Sequence, residues 1–182
     1  DEPGLVELLR EPAAHAAPVS APAAFAQRIL AAAERYSAAD CEQVLTLAIS
    51  LLSPAQLIDE VLEPLLREVG ERWHRGELAI SQERLLSSTI RRHLGLVLET
   101  YGHMAKHQHI VFATLPGERH ELGLLMAAIS CASRGFRAHY LGADLPAEEI
   151  ARFARETGAS IVAISVMLQE QVADAPRQLR QL

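Results

Sequence analysis

The 182-residue sequence has little of what would announce a function outright. Its two cysteines, Cys41 and Cys131, have no metal-binding spacing, which excludes a disulfide framework and a thiolate metal cluster. They read as buried thiols in a reducing cytoplasm. Aromatic residues make up only 4%, too few for base-stacking platforms. Acidic residues outnumber basic ones, 23 to 17, which argues against nucleic-acid binding by these residues. No apolar run approaches the roughly 18 residues that cross a bilayer, and no signal-peptide pattern opens the sequence. There is no Gly-x-Gly-x-x-Gly after a strand and no Walker lysine, which disfavours dinucleotides and nucleoside triphosphates. No nucleophile–base pair suggests hydrolytic chemistry.

What is present is periodicity. Residues 1–21 hold Pro3, Pro12 and Pro18 and read as a linker or tail. Residues 22–102 read as four helices. The first opens at Pro22 and shares a face among Phe25, Ile29, Leu30 and Ala33. Ser37 with Asp40 opens the second as a capping box, and Ser53-Pro54 opens the third. Pro64 inside the third predicts a kink near Leu62, and Gly76 predicts a left-handed end. The fourth runs from about Ser81. Short connections make the four an antiparallel bundle.

Residues 103–182 alternate differently. Strands at 109–114, 137–141 and 161–165 are separated by helices at about 121–133 and 147–157, with a further helix to the end. That alternation predicts right-handed crossovers and a Rossmann-like, flavodoxin-like parallel sheet. Asp144, before Pro146, reads as a turn and cap residue. Thr114-Leu115 at the first strand's end lacks the acidic residues of a phosphoacceptor receiver. His103, His107 and His109 invite a metal reading, but no cysteine or carboxylate completes a set, and the run reads as a linker into a strand. His15, His93 and His139 read as surface or core fillers.

The chemistry concentrates after the first strand, in Glu118-Arg119-His120-Glu121-Leu122-Gly123. A loop at the carboxyl end of a parallel strand is where open α/β sheets bind ligands. A glutamate two residues before the histidine can take one ring nitrogen and leave the other for a metal. Gly123 lets the following helix lie close to a flat ligand. Alone, such a match is most often an ordinary loop histidine. Ser165-x-Met167 closes the third strand and gives it company.

Together the two motifs resemble the cobalamin-binding domain family, marked by Asp/Glu-x-His-x-x-Gly, Ser-x-Leu and a later Gly-Gly. The resemblance implies that His120 is the lower axial cobalt ligand in place of the cofactor's dimethylbenzimidazole. Glu118 would be its partner, and Ser165 would line the channel for the displaced base. Met167 stands where the family usually has leucine, Gly-Gly is absent, and the domain reads as truncated at Leu182. The bundle adds Trp73, His74, Ile80, Glu83 and Arg84. Nine residues separate Trp73 from Glu83, similar to the Trp-x9-Glu-His signature of light-responsive cobalamin repressors of the MerR type. In that group the bundle covers the upper corrin face. Trp73 and Ile80 would pack on the upper ligand, Glu83 would hydrogen-bond it, and His74 would take cobalt after light removes the adenosyl group. Arg84 replaces the signature's histidine.

The resemblance implies a cytoplasmic sensor or regulatory module rather than an enzyme, binding adenosylcobalamin, with a DNA-binding or other output domain outside the sequence. It also implies a ligand- or light-dependent homo-oligomer. Two alternatives stand beside it. One is a corrinoid methyl-carrier subunit of a methyltransferase system. The other is a sensor for a bilin or haem, alone or with cobalamin, whose propionates Arg84 and Arg91 could meet.

Overall fold

The computed structural model describes residues 21–102 and 108–167. The expected tail, most of the histidine run and the helix after the third strand lie outside them. The helical half begins with α1 (Pro22–Glu34), which has proline in its first turn, and α2 (Ala38–Leu51). Ser37 caps α2 by accepting the Asp40 N–H at 3.3 Å. Helix α3 (Pro54–Gln56) opens on a full capping box between Ser53 and Gln56. It runs through a π-helical segment, Leu57–Leu62, into α4 (Glu63–His74).

That segment is where Pro64 predicts a kink. The Glu63 N–H donates five residues back, to Ile58 O. The wider turn lies where a proline ring would otherwise press on the carbonyl four residues earlier. Helix α4 ends as expected at Gly76, whose φ is 72°. Gly76 N–H donates to Trp73 O at 3.0 Å and Glu77 N–H to Arg72 O at 2.9 Å, a Schellman closure. Helix α5 (Ile80–Gly102) starts one residue before the expected Ser81. Ala79 N–H donates to the Gln82 side chain at 2.8 Å, which in turn donates to Glu34 O of α1 at 2.8 Å.

The predicted faces bury. Phe25, Ile29, Leu45, Val61, Leu62, Leu65, Leu86, Ile90 and Leu94 form one core. Each fully buried leucine or phenylalanine contributes roughly 1.5–3 kcal/mol of transfer free energy.

The second half is β1 (His109–Thr114), α6 (Leu122–Ala132), β2 (Arg137–Gly142), α7 (Ala147–Thr157) and β3 (Ile161–Ser165). All pairings are parallel, in the order β2-β1-β3. Central β1 is covered on both faces, as its unbroken apolar run requires. Ile110 and Phe112 pack with Leu124 and Ala128 of α6. Val111 and Ala113 pack with Ala147, Ile150 and Ala154 of α7. Because α6 and α7 lie on opposite faces, the strand order reverses between β1 and β3, and the carboxyl ends of those two strands are where open sheets of this kind bind ligands. The two halves join through α6, whose Leu125 and Ile129 belong to the helical core.

Asp144 is not the cap of α7. That place is Pro146, which makes no side-chain cap. Asp144 stands in the left-handed region at φ 64°, and its Oδ1 accepts the Gly117 N–H at 2.8 Å, tying the loop after β2 to the loop after β1. None of the described helices is long and apolar enough to cross a membrane.

Candidate functional site

The loop after β1 is built around a buried carboxylate. Glu118 is 1% exposed. Its Oε1 accepts from the His120 backbone N–H at 2.9 Å and from His120 Nδ1 at 2.6 Å. Its Oε2 accepts from the Met167 N–H at 2.7 Å. One acidic side chain thus fixes the histidine loop and ties it to the end of β3. The Glu118 carbonyl accepts from the Thr114 hydroxyl at 2.5 Å, and that hydroxyl also accepts the Asp144 N–H at 2.9 Å.

This arrangement selects a tautomer. A carboxylate only accepts, so Nδ1 of His120 carries the proton and Nε2 of the neutral ring holds the lone pair. The His120 side chain is 57% exposed, so that nitrogen is presented at the surface. Space beside the ring is open as well: a Cβ added to Gly123 would meet no atom within 4 Å. Ser165 is the last residue of β3, in register with Thr114 across the sheet. Met167 enters through its backbone, and its side chain is exposed.

The neighbouring Glu121 binds the loop to the helical half, which the sequence did not signal. Its Oε1 accepts from Arg91 of α5 at 3.0 Å and its Oε2 from the Tyr140 hydroxyl at 2.6 Å. Burial first, then the bond to Glu121, pushes the Tyr140 hydroxyl well above its ordinary pKa. Arg91, one of two arginines considered for propionates, is therefore engaged by Glu121. The other, Arg84, lies 3.5 Å from Glu83, and that same Glu83 accepts from Ser87.

Trp73 and His74 occupy the last turn of α4, and Ile80, Glu83 and Arg84 the first turn of α5. The Arg75–Ala79 turn brings these ends to one tip. Trp73 is 50% and Ile80 63% exposed, an unusual cost for the only tryptophan and for an isoleucine. Among the described residues, no hydrogen bond or ion pair joins this tip to His120.

Sequence comparison matches residues 24–97 to one B12 binding domain and residues 108–182 to another. The chain belongs to the B12-binding family. It is 35% identical over 156 residues to the HTH-type transcriptional repressor CarH of Myxococcus xanthus, covering 86% of this chain and 52% of that protein. It is 25% identical over 120 residues to the dimethylamine corrinoid protein of Methanosarcina barkeri, covering 64% of this chain and 56% of that one. The chain thus spans about half the length of these relatives. The solved monomethylamine corrinoid protein of Methanosarcina barkeri shares the fold, with a TM-score of 0.67 at 14% identity over 85% of this chain and 74% of that one. A helical cap followed by a Rossmann-like parallel sheet is therefore the architecture of this B12-binding pair.

The residues present suit the cofactor. An imidazole with one ring nitrogen anchored can offer the other to a metal, and the Glu118–His120 pair is a donor of that kind.

Proposed function

We propose that the chain is the cobalamin-binding sensor module of a light-responsive regulator, cytoplasmic and assembled as a homo-oligomer, with its DNA-binding output in another part of the protein. The observation that carries the cofactor assignment is the His120 Nδ1–Glu118 Oε1 bond of 2.6 Å, with Glu118 buried. His120 would hold the cobalt through Nε2, and Glu118 would fix the ring's orientation and tautomer. Gly123 leaves room beside the ring, and Ser165 and Met167 would line the site at the end of β3. Trp73 and Ile80 are the apolar cover for the upper face, with Glu83 as a hydrogen-bond acceptor. Adenosylcobalamin, when bound, supplies a cobalt–carbon bond that light breaks. His74, beside the turn at Gly76, would be the second imidazole available to the cobalt, at low backbone cost. Similarity to a transcriptional repressor over most of the chain favours regulation as the output.

A methyl-carrier role is the second reading, supported by the 25% identity to a dimethylamine corrinoid protein. The two part company under light. The protein reconstituted with adenosylcobalamin in the dark is expected to change both its visible spectrum and its elution volume after green illumination. His120→Ala is expected to alter the dark spectrum and weaken retention, and His74→Ala to change only the illuminated spectrum. A spectrum that light alters but an unchanged elution volume would remove the switch from this reading. An unaltered spectrum in His120→Ala would remove the lower ligand. Cobalt-dependent acceptance of a methyl group, insensitive to light history, would replace the sensor with the carrier.

A further inference from the structure

The sequence carries a histidine run that the cofactor reading leaves unused, and its last member does not stand alone. His109 is the first residue of β1, at the opposite end of that strand from the His120 loop. Beside it, from β2, comes His139, thirty positions away. The His139 Nε2 and His109 Nδ1 atoms lie 3.3 Å apart, and the ring centroids are 5.1 Å apart with planes inclined at 51°. Thr157 O, at the end of α7, is 3.1 Å from the same His109 Nδ1. Both rings are half-buried, and Phe153 packs edge-on against His139, which limits how far that ring can turn.

Two geometries could bring imidazole nitrogens this close. A straight N–H···N hydrogen bond of this length would put the centroids about 5.6 Å apart. Two imidazoles on one tetrahedral ion, each at about 2.0–2.1 Å, have their donor nitrogens about 3.3 Å and their centroids about 5.2 Å apart. The observed pair matches the second on both distances.

We propose that His109 and His139 form a second metal site, distinct from the cobalt ligand, that takes a divalent ion of the zinc, copper or nickel class. Imidazole suits these ions, and hard cations such as magnesium would find too few oxygens. The Thr157 carbonyl is the adjacent third donor, and water completes the shell from the open side. Arg137, which begins β2 and bears on His139 electrostatically, opposes a cation, so the affinity belongs in the micromolar range. The ion would cross-link the start of β1, the middle of β2 and the end of α7.

The test is a calorimetric titration of the tag-free 182-residue chain with zinc chloride. One site of micromolar affinity is expected, weakened at least ten-fold in His109→Gln and in His139→Gln and retained in His120→Ala. X-ray absorption at the zinc edge of the unsubstituted chain, which needs no variant to fold, should show two imidazoles. The proposal is overturned by any of three results: no binding at micromolar zinc, loss of binding in His120→Ala with the pair intact, or binding lost only in the double variant His103→Gln, His107→Gln.

Discussion

Replacing Glu118 by glutamine tests the centre of the site with a change of one atom. The buried carboxylate takes three N–H donors, two from His120 on Oε1 and one from Met167 on Oε2. Glutamine offers one oxygen and one NH2 group. If its oxygen stays with His120, the NH2 faces the Met167 N–H, donor against donor. If it flips, both His120 donors lose their acceptor. In either case at least one hydrogen bond to a charged group is lost at a buried site, a cost of roughly 1.5–3 kcal/mol. Losing the partner that orients a metal-bound histidine typically weakens metal affinity by about 10–100-fold. Glu118→Gln is therefore expected to lower the urea-unfolding free energy by about 2 kcal/mol and cobalamin affinity by at least about ten-fold. Far-ultraviolet circular dichroism reads the first and visible titration the second. A variant within about 0.5 kcal/mol of the unsubstituted protein, binding cobalamin equally well, would refute the claim that this carboxylate holds the ligand in place.

Two further predictions concern stability. Gly76→Ala adds a Cβ that meets no atom within 4 Å, so its penalty comes from the backbone at φ 72° alone. A loss of about 1 kcal/mol or more is expected, read as a lower Tm, and an unchanged Tm would mean that the turn relaxes freely. Burial, with His109 and Arg137 nearby, holds the His139 imidazole below its ordinary pKa. The unfolded chain then binds this proton more readily than the folded one. Stability from this group is complete above about pH 6.5 and falls as pH drops through that value toward the depressed one. In metal-free buffer His139→Gln should flatten that slope, and an identical acid profile would assign it elsewhere.

The secondary structure was legible because its signals are local. Proline at the head of α1, the Ser53-Pro54 cap and Gly76 each act within one turn, and β1 announces its burial by an unbroken apolar run. The proline at position 64 marked the right place, but the chain answers it with a wider turn that no residue type encodes. The Glu118–His120 bond was readable from a spacing of two, since a short loop leaves the carboxylate few other places to go. Arg91, Glu121 and Tyr140 were not, because they come from three elements whose meeting depends on how α5 lies across α6. His139 was read as filler for the same reason: its partner is set by strand register, and the register is fixed by the whole sheet. Asp144 does stand in a turn, but its cap role failed: an aspartate ahead of a helix fits a cap on sequence grounds, while its side chain reaches across to Gly117.

Helix α6 serves two interiors at once. Leu125 and Ile129 complete the helical core, while Leu124 and Ala128 complete the sheet's. Transplanting the sheet half alone into another protein would leave Leu125 and Ile129 in water, and transplanting the bundle alone would leave a matching cleft along α5. For anyone borrowing this module, the smallest portable piece is therefore the pair, and a junction placed in the short connection between α5 and β1 would sever a shared interior.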